Sequence, residues 1–113
     1  MSMMTRIADA LTGADIRCYL PGRHQGTCEE PYAVVTDAGI ARIGKTTGRH
    51  VYYVTLYVPM EKPSMMTELL GTARCALLAL TALRPNPMQS EGTIDEVGRA
   101  YCVSMEYSAL CSA

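Results

Sequence analysis

The residues that could do chemistry are few, and the most suggestive set lies in one run. Gly39-Ile40-Ala41-Arg42-Ile43-Gly44-Lys45-Thr46 matches G-x-x-x-x-G-K-[ST], the spacing of a phosphate-binding loop. That chemistry needs backbone amides in a loop that opens directly into a helix, whose N-terminus completes the anion site. Here Gly48 follows, and then His50-Val51-Tyr52-Tyr53-Val54-Thr55-Leu56-Tyr57-Val58, whose β-branched and aromatic residues favour a strand. No apolar strand ending in Asp follows to hold magnesium. Gly39–Thr46 therefore reads as part of a Gly-punctuated, flexible arm over 39–49, made locally basic by Arg42, Lys45, Arg49 and His50. Nucleotide binding remains the lesser alternative.

Other catalytic constellations are weaker. Ser64, His24 or His50, and Asp37 supply the letters of a triad, and Cys28 those of a thiol nucleophile. None sits in an elbow or helix-start context that would activate it. Glu29-Glu30 and Asp95-Glu96 are adjacent carboxylates, whose side chains diverge. His24 and Cys28 have the spacing of a ligand pair on a helical turn, but Pro21-Gly22 and Gly26 oppose a helix there, and no second pair completes a metal site. The expectation is a non-enzyme with no cofactor and no metal.

Composition narrows the classes further. The chain has 113 residues, enough for one domain (1–113) with a real core. A net charge of -1 argues against a strongly basic nucleic-acid binder. With Trp and Phe both absent, Tyr, Leu, Val and Met must fill the core. No apolar run reaches the length of a membrane span. Asp9 falls where a signal peptide would need its apolar centre, so a cytosolic, reducing setting is expected. The odd count of five cysteines, scattered and without a C-x-x-C pair, fits that setting and reads as buried free thiols.

These residues must be carried by a small set of elements. Met4, Ile7, Ala8 and Leu11 recur at helical spacing, predicting a short helix over 2–12. Alternation predicts strands at 16–20, 31–36, 50–58 and 101–108. In the third, Tyr52, Val54, Leu56 and Val58 form the more apolar face, leaving Val51, Tyr53, Thr55 and Tyr57 opposite. Met66, Leu69, Leu70, Ala73, Leu77 and Leu80 define the core stripe of a long helix over 64–83, with Ser64 as N-cap and Arg84-Pro85-Asn86-Pro87 as its stop. Thr93-Ile94-Asp95-Glu96 has capping-box spacing and predicts a single helical turn within a polar connection. The expected fold is α+β, with a mostly antiparallel sheet of about four strands packed against the one long helix. From Ala76 to Leu83 that helix is apolar nearly all round. Cys75 and Leu78 lie off its core stripe and, with Tyr53 and Tyr57, are the candidate subunit interface.

This order of elements resembles a family. A short N-terminal helix, a strand at Pro31-Tyr32-Ala33-Val34-Val35, a Gly-rich basic arm feeding Tyr52-Tyr53-Val54-Thr55-Leu56-Tyr57, a long helix and a closing strand at Tyr101–Tyr107 are similar to the tail-terminator or tail-completion proteins of long-tailed bacteriophages and prophages. These are also called minor capsid or head–tail joining proteins. The resemblance covers nearly the whole chain but is a pattern of elements, with no catalytic signature. It implies a virion structural protein: a subunit of a ring, usually a hexamer, at the head–tail junction, assembled in the bacterial cytoplasm. Its partners would be further copies of itself, the tail-tube protein and head–tail connector proteins. The arm of Arg42, Lys45, Arg49 and His50 would project into the lumen, where it touches DNA non-specifically, or clasp a neighbouring subunit. The alternative from a different class is a small α+β oligomeric binding or regulatory module.

Overall fold

The computed structural model of the protein describes residues 2–21, 28–89, 92–96 and 98–112, of which 86–89 and 112 by backbone alone. The elements, in chain order, are α1 (Met3–Gly13), β1 (Arg17–Tyr19), β2 (Tyr32–Arg42), β3 (Thr47–Pro59), α2 (Met65–Leu77), β4 (Arg84–Gln89), β5 (Thr93–Asp95) and β6 (Ala100–Ser112). They form a mixed six-stranded sheet in the order β1-β2-β3-β6-β4, with β5 also paired to β6.

This corrects the expected architecture of about four strands under one long helix. The sheet is larger and mixed, because β1 runs parallel to β2. Both helices are short. Two of the extra strands come from segments whose sequence argued against them. Pro85 and Pro87 were expected only to end a helix, yet they lie in β4, an edge strand, where a missing ladder donor is tolerated. The expected helical turn at 93–96 is strand β5 instead. Asp95 Oδ1 accepts the Gly98 N–H at 3.2 Å, so its carboxylate stabilises the β5–β6 turn and not a helix start.

The long helix also falls short of its expected end. α2 stops at Leu77, and the chain tightens into successive turns closed by Leu80 N–H to Leu77 C=O and Leu83 N–H to Leu80 C=O. Abandoning the helical angle redistributes the apolar residues. Leu77 and Leu83 turn inward, whereas Leu78 is 73% exposed. A helix covered on every side does not form. At the other end the Ser64 hydroxyl makes no capping bond. The carbonyls of Lys62 and Pro63 take the first N–H groups of that turn instead. α1, in contrast, has a working cap: Ser2 accepts from the Thr5 N–H at 3.2 Å.

Both helices pack on one face of the sheet. Ile7 and Leu11 of α1 and Met66, Ala73 and Leu77 of α2 share a core with Val35, Val54, Leu56, Val58, Val103 and Met105. Strand alternation explains the set. Leu56 pairs with Ala33 on one side and Val103 on the other, and Val54 with Val35 and Met105, so one face of three strands is continuously apolar.

The sheet outgrows its helices. The expected flexible arm at 39–49 is instead laddered into β2 and β3, because the two strands keep pairing from Gly39↔Val51 to Arg42↔Gly48. β6 follows β3 out to Thr47↔Ser112, giving a three-stranded ribbon. The molecule consequently measures 47 × 25 × 25 Å, and its radius of gyration of 14.3 Å exceeds the about 13 Å of a compact domain of this length.

Candidate interaction surfaces

No described segment assembles a catalytic centre from the candidates in the sequence. The phosphate-loop match is the turn at the end of the ribbon. Its amides close the hairpin, with Ile43 and Gly44 both donating to the Thr47 carbonyl at 3.1 Å. The chain then continues as β3, and among the described residues no helix starts from the loop, so the anion site the motif requires is not built. Arg42 folds back on the same turn and donates to the carbonyls of Gly44 and Lys45. These bonds brace the turn, while the side chain itself stays exposed.

Two triad candidates do meet. His50 Nε2 lies 2.7 Å from Asp37 Oδ1, and the imidazole stacks on Tyr52 with centroids 4.5 Å apart. Ser64 lies past the far end of β3, whose run from His50 to Pro59 covers about 30 Å. The pair therefore has no nucleophile from that set and acts as a clamp at the base of the ribbon. Asp37 also accepts the Gly39 N–H at 2.8 Å. That bond, and then the one from His50, hold its carboxyl below the usual carboxylate range. Gly39 has a φ of +90° at the point where the β2–β3 register slips, and Ala38 is left without a partner on β3. This is a β-bulge, and a left-handed residue there calls for glycine.

The cysteines do not act together. Among the described residues all five are free thiols and no metal-binding group forms. Their expected burial holds only for Cys28; Cys75 is exposed and the other three are half-buried. Burial pushes the thiols of Cys18 and Cys28 up, away from reactivity. His24 lies outside the described residues, so its pairing with Cys28 has no structural counterpart here.

The four proposed interface residues fall on two surfaces. Tyr53 and Tyr57 point to the sheet face away from the helices. Cys75 and Leu78 lie on the outer side of α2 and its C-terminus. The sheet face is largely satisfied from within. Tyr53 is hydrogen-bonded to Glu106, its cross-strand partner, which raises the phenol's pKa. Thr55 and Ser104, also partners, share a hydroxyl bond of 2.9 Å. Tyr57 stacks on Tyr32 at 4.7 Å, and Tyr19 meets Tyr32 edge-on at 5.5 Å. Cys28 and Ala100 bury one end of this cluster.

Two features escaped the sequence reading. The first is the apolar character of the ribbon: Ile40, Ile43 and Leu110 are 56%, 53% and 64% exposed, beside the cations Lys45 and Arg49. Ile40 and Ile43 were absorbed into the phosphate-loop pattern as its variable positions. The second is an open cleft of about 490 Å³ at the opposite end, between the end of α1, β1 and the start of α2. Ile16, Pro31, Met65 and Leu69 line it, and Asp15, Glu30 and Glu68 stand at its edge beside Arg17. Its walls come from three separate segments, 14–17, 30–31 and 65–72, so no local pattern announces it.

No protein-family model matches the chain, and no curated protein is significantly similar to it. The functional reading accordingly rests on these surfaces.

Proposed function

We propose that the protein is a structural subunit that assembles with copies of itself, and that its assembly is a ring joining a bacteriophage tail to the head. The observation that carries the assembly is the ribbon, which projects beyond the helices and exposes Ile40 on one face, Leu110 on the other and Ile43 at its turn. The accessible surface of 7079 Å² points the same way, since a compact monomer of this 12.3 kDa mass would show about 6,100 Å². The tail-joining role rests on the resemblance in element order. The shorter second helix and the wider sheet depart from that resemblance.

Native mass spectrometry and negative-stain microscopy of the purified chain test the reading. A closed ring that sediments with tail tubes is the expected result. A chain that stays monomeric both alone and with tail tubes removes it. A defined oligomer indifferent to tail tubes would favour a small binding or regulatory module.

A further inference from the structure

We propose that subunits join head to tail, with the hairpin tip of one copy seated in the cleft at the opposite end of the next. The inference rests on the self-assembly proposed above and names the two surfaces that make the contact. They sit at opposite ends of the long axis: Pro31 lines the cleft and Arg42 enters the tip, and the strand between them spans about 36 Å.

The two ends are complementary in kind. The tip offers Ile43, with Lys45 and Arg49 beside it. The cleft offers an apolar floor of Ile16, Met65 and Leu69 under Asp15 and Glu68. Among the described residues neither Lys45 nor Arg49 has an acidic partner, and neither Asp15 nor Glu68 has a basic one. Glu30 is engaged by Arg17 at 3.7 Å, whereas the exposed Arg42 donates to carbonyls of its own turn and keeps its charge, which adds to the positive surplus of the tip. One surplus is positive and the other negative. The volume of about 490 Å³ has room for the isoleucine and a neighbouring side chain. A tip cannot reach the cleft of its own chain, because the rigid ribbon points away from it. The contact is thus heterologous, the type that closes into rings or runs on as filaments.

Charge exchange between the two surfaces tests the contact. One variant carries Lys45→Glu and Arg49→Glu at the tip. The other carries Asp15→Asn and Glu68→Lys in the cleft, with Asn at 15 because it tolerates the positive φ there. Each variant alone is expected to need a concentration about a hundredfold higher for assembly, as like charges are brought together. Mixed in equal amounts, the two should recover wild-type-sized oligomers, because the reversed tip meets the reversed cleft while the native pair meets on the other side. Recovery supports the head-to-tail contact. Oligomers that ignore both variants, or variants that dissociate and do not recover on mixing, overturn it while leaving self-assembly in place. A wild-type chain that is monomeric throughout removes self-assembly and the contact together. Should a charge variant fail to fold, Ile43→Asp replaces it: the site is exposed, folding is expected to survive, and unchanged assembly by native mass spectrometry overturns the proposal.

Discussion

The helix-covered half of the sheet and the ribbon beyond it are made from the same three strands, yet they are stabilised differently. In the covered half, Val35, Val54 and Met105 pair across strands and are sealed by the helices, so the ladder and the core reinforce each other. In the ribbon the ladder continues with almost nothing buried above it. Its order comes from local devices: the Asp37–His50 clamp, the bulge at Gly39 and the Arg42 brace. One chain thus contains a part whose substitutions are read as stability and, in the proposed assembly, a part whose substitutions are read as association.

Substitutions can break this contrast or sharpen it. Leu56→Ala, at a fully buried site, is expected to cost about 2–5 kcal/mol, whereas Ile43→Ala should change folding by no more than about 0.5 kcal/mol. Urea titrations of the two variants give both numbers, and similar losses would erase the distinction. Gly39→Ala should fall between them, at about 1–2 kcal/mol, because its φ of +90° strains any residue with a Cβ. Hydrogen exchange would show that loss concentrated in the ribbon.

Two titrations separate the halves by pH. Burial pushes the Tyr32 phenol up to about 12, followed by the influence of Cys28 and Tyr57. A raised folded value means stability that is full below the ordinary 10.0 and lost as the pH rises from there towards 12. Tyrosinate absorbance should therefore rise together with unfolding of the covered half. Asp37 behaves oppositely. Its contribution is full above the ordinary 3.8 and disappears as the pH falls through its lowered value. The Gly39 amide should lose its protection, measured against the intrinsic exchange rate at each pH, before the core amides do. The smallest effect belongs to Leu78→Glu, which at 73% exposure should leave the melting temperature within about 2 °C of wild type. If native mass spectrometry also finds assembly unchanged, the outer side of α2 is not an interface.

What the sequence made legible follows the same division. The inward face of β3 could be read from alternation alone, since both faces of a strand are written in consecutive residues. The end of α2 could not. Ala76 to Leu83 contains good helix formers at every position but Thr81, and the chain leaves the helix because Leu77 and Leu83 find the core through tighter turns. β4 was hidden by its prolines, which exclude a central strand but not an edge. β5 was hidden by a capping-box spacing that an Asp–Gly turn reproduces. The candidate contact surfaces were the least legible. The cleft is assembled from distant segments, and the tip was masked by a nucleotide-binding motif whose letters were present without its architecture.

The bulge at Asp37–Gly39 carries one more consequence. Ala38 is the extra residue, and the pairings on either side of it, Asp37↔Tyr52 and Gly39↔Val51, would remain in phase without it. Its presence bends and twists the ribbon relative to the covered sheet. The aim of the tip can thus be reset by one residue without disturbing the core. In a head-to-tail assembly that aim is the angle between neighbours, which decides whether a chain of copies closes, and after how many. A geometric property of the whole assembly would then be encoded in a single unpaired alanine.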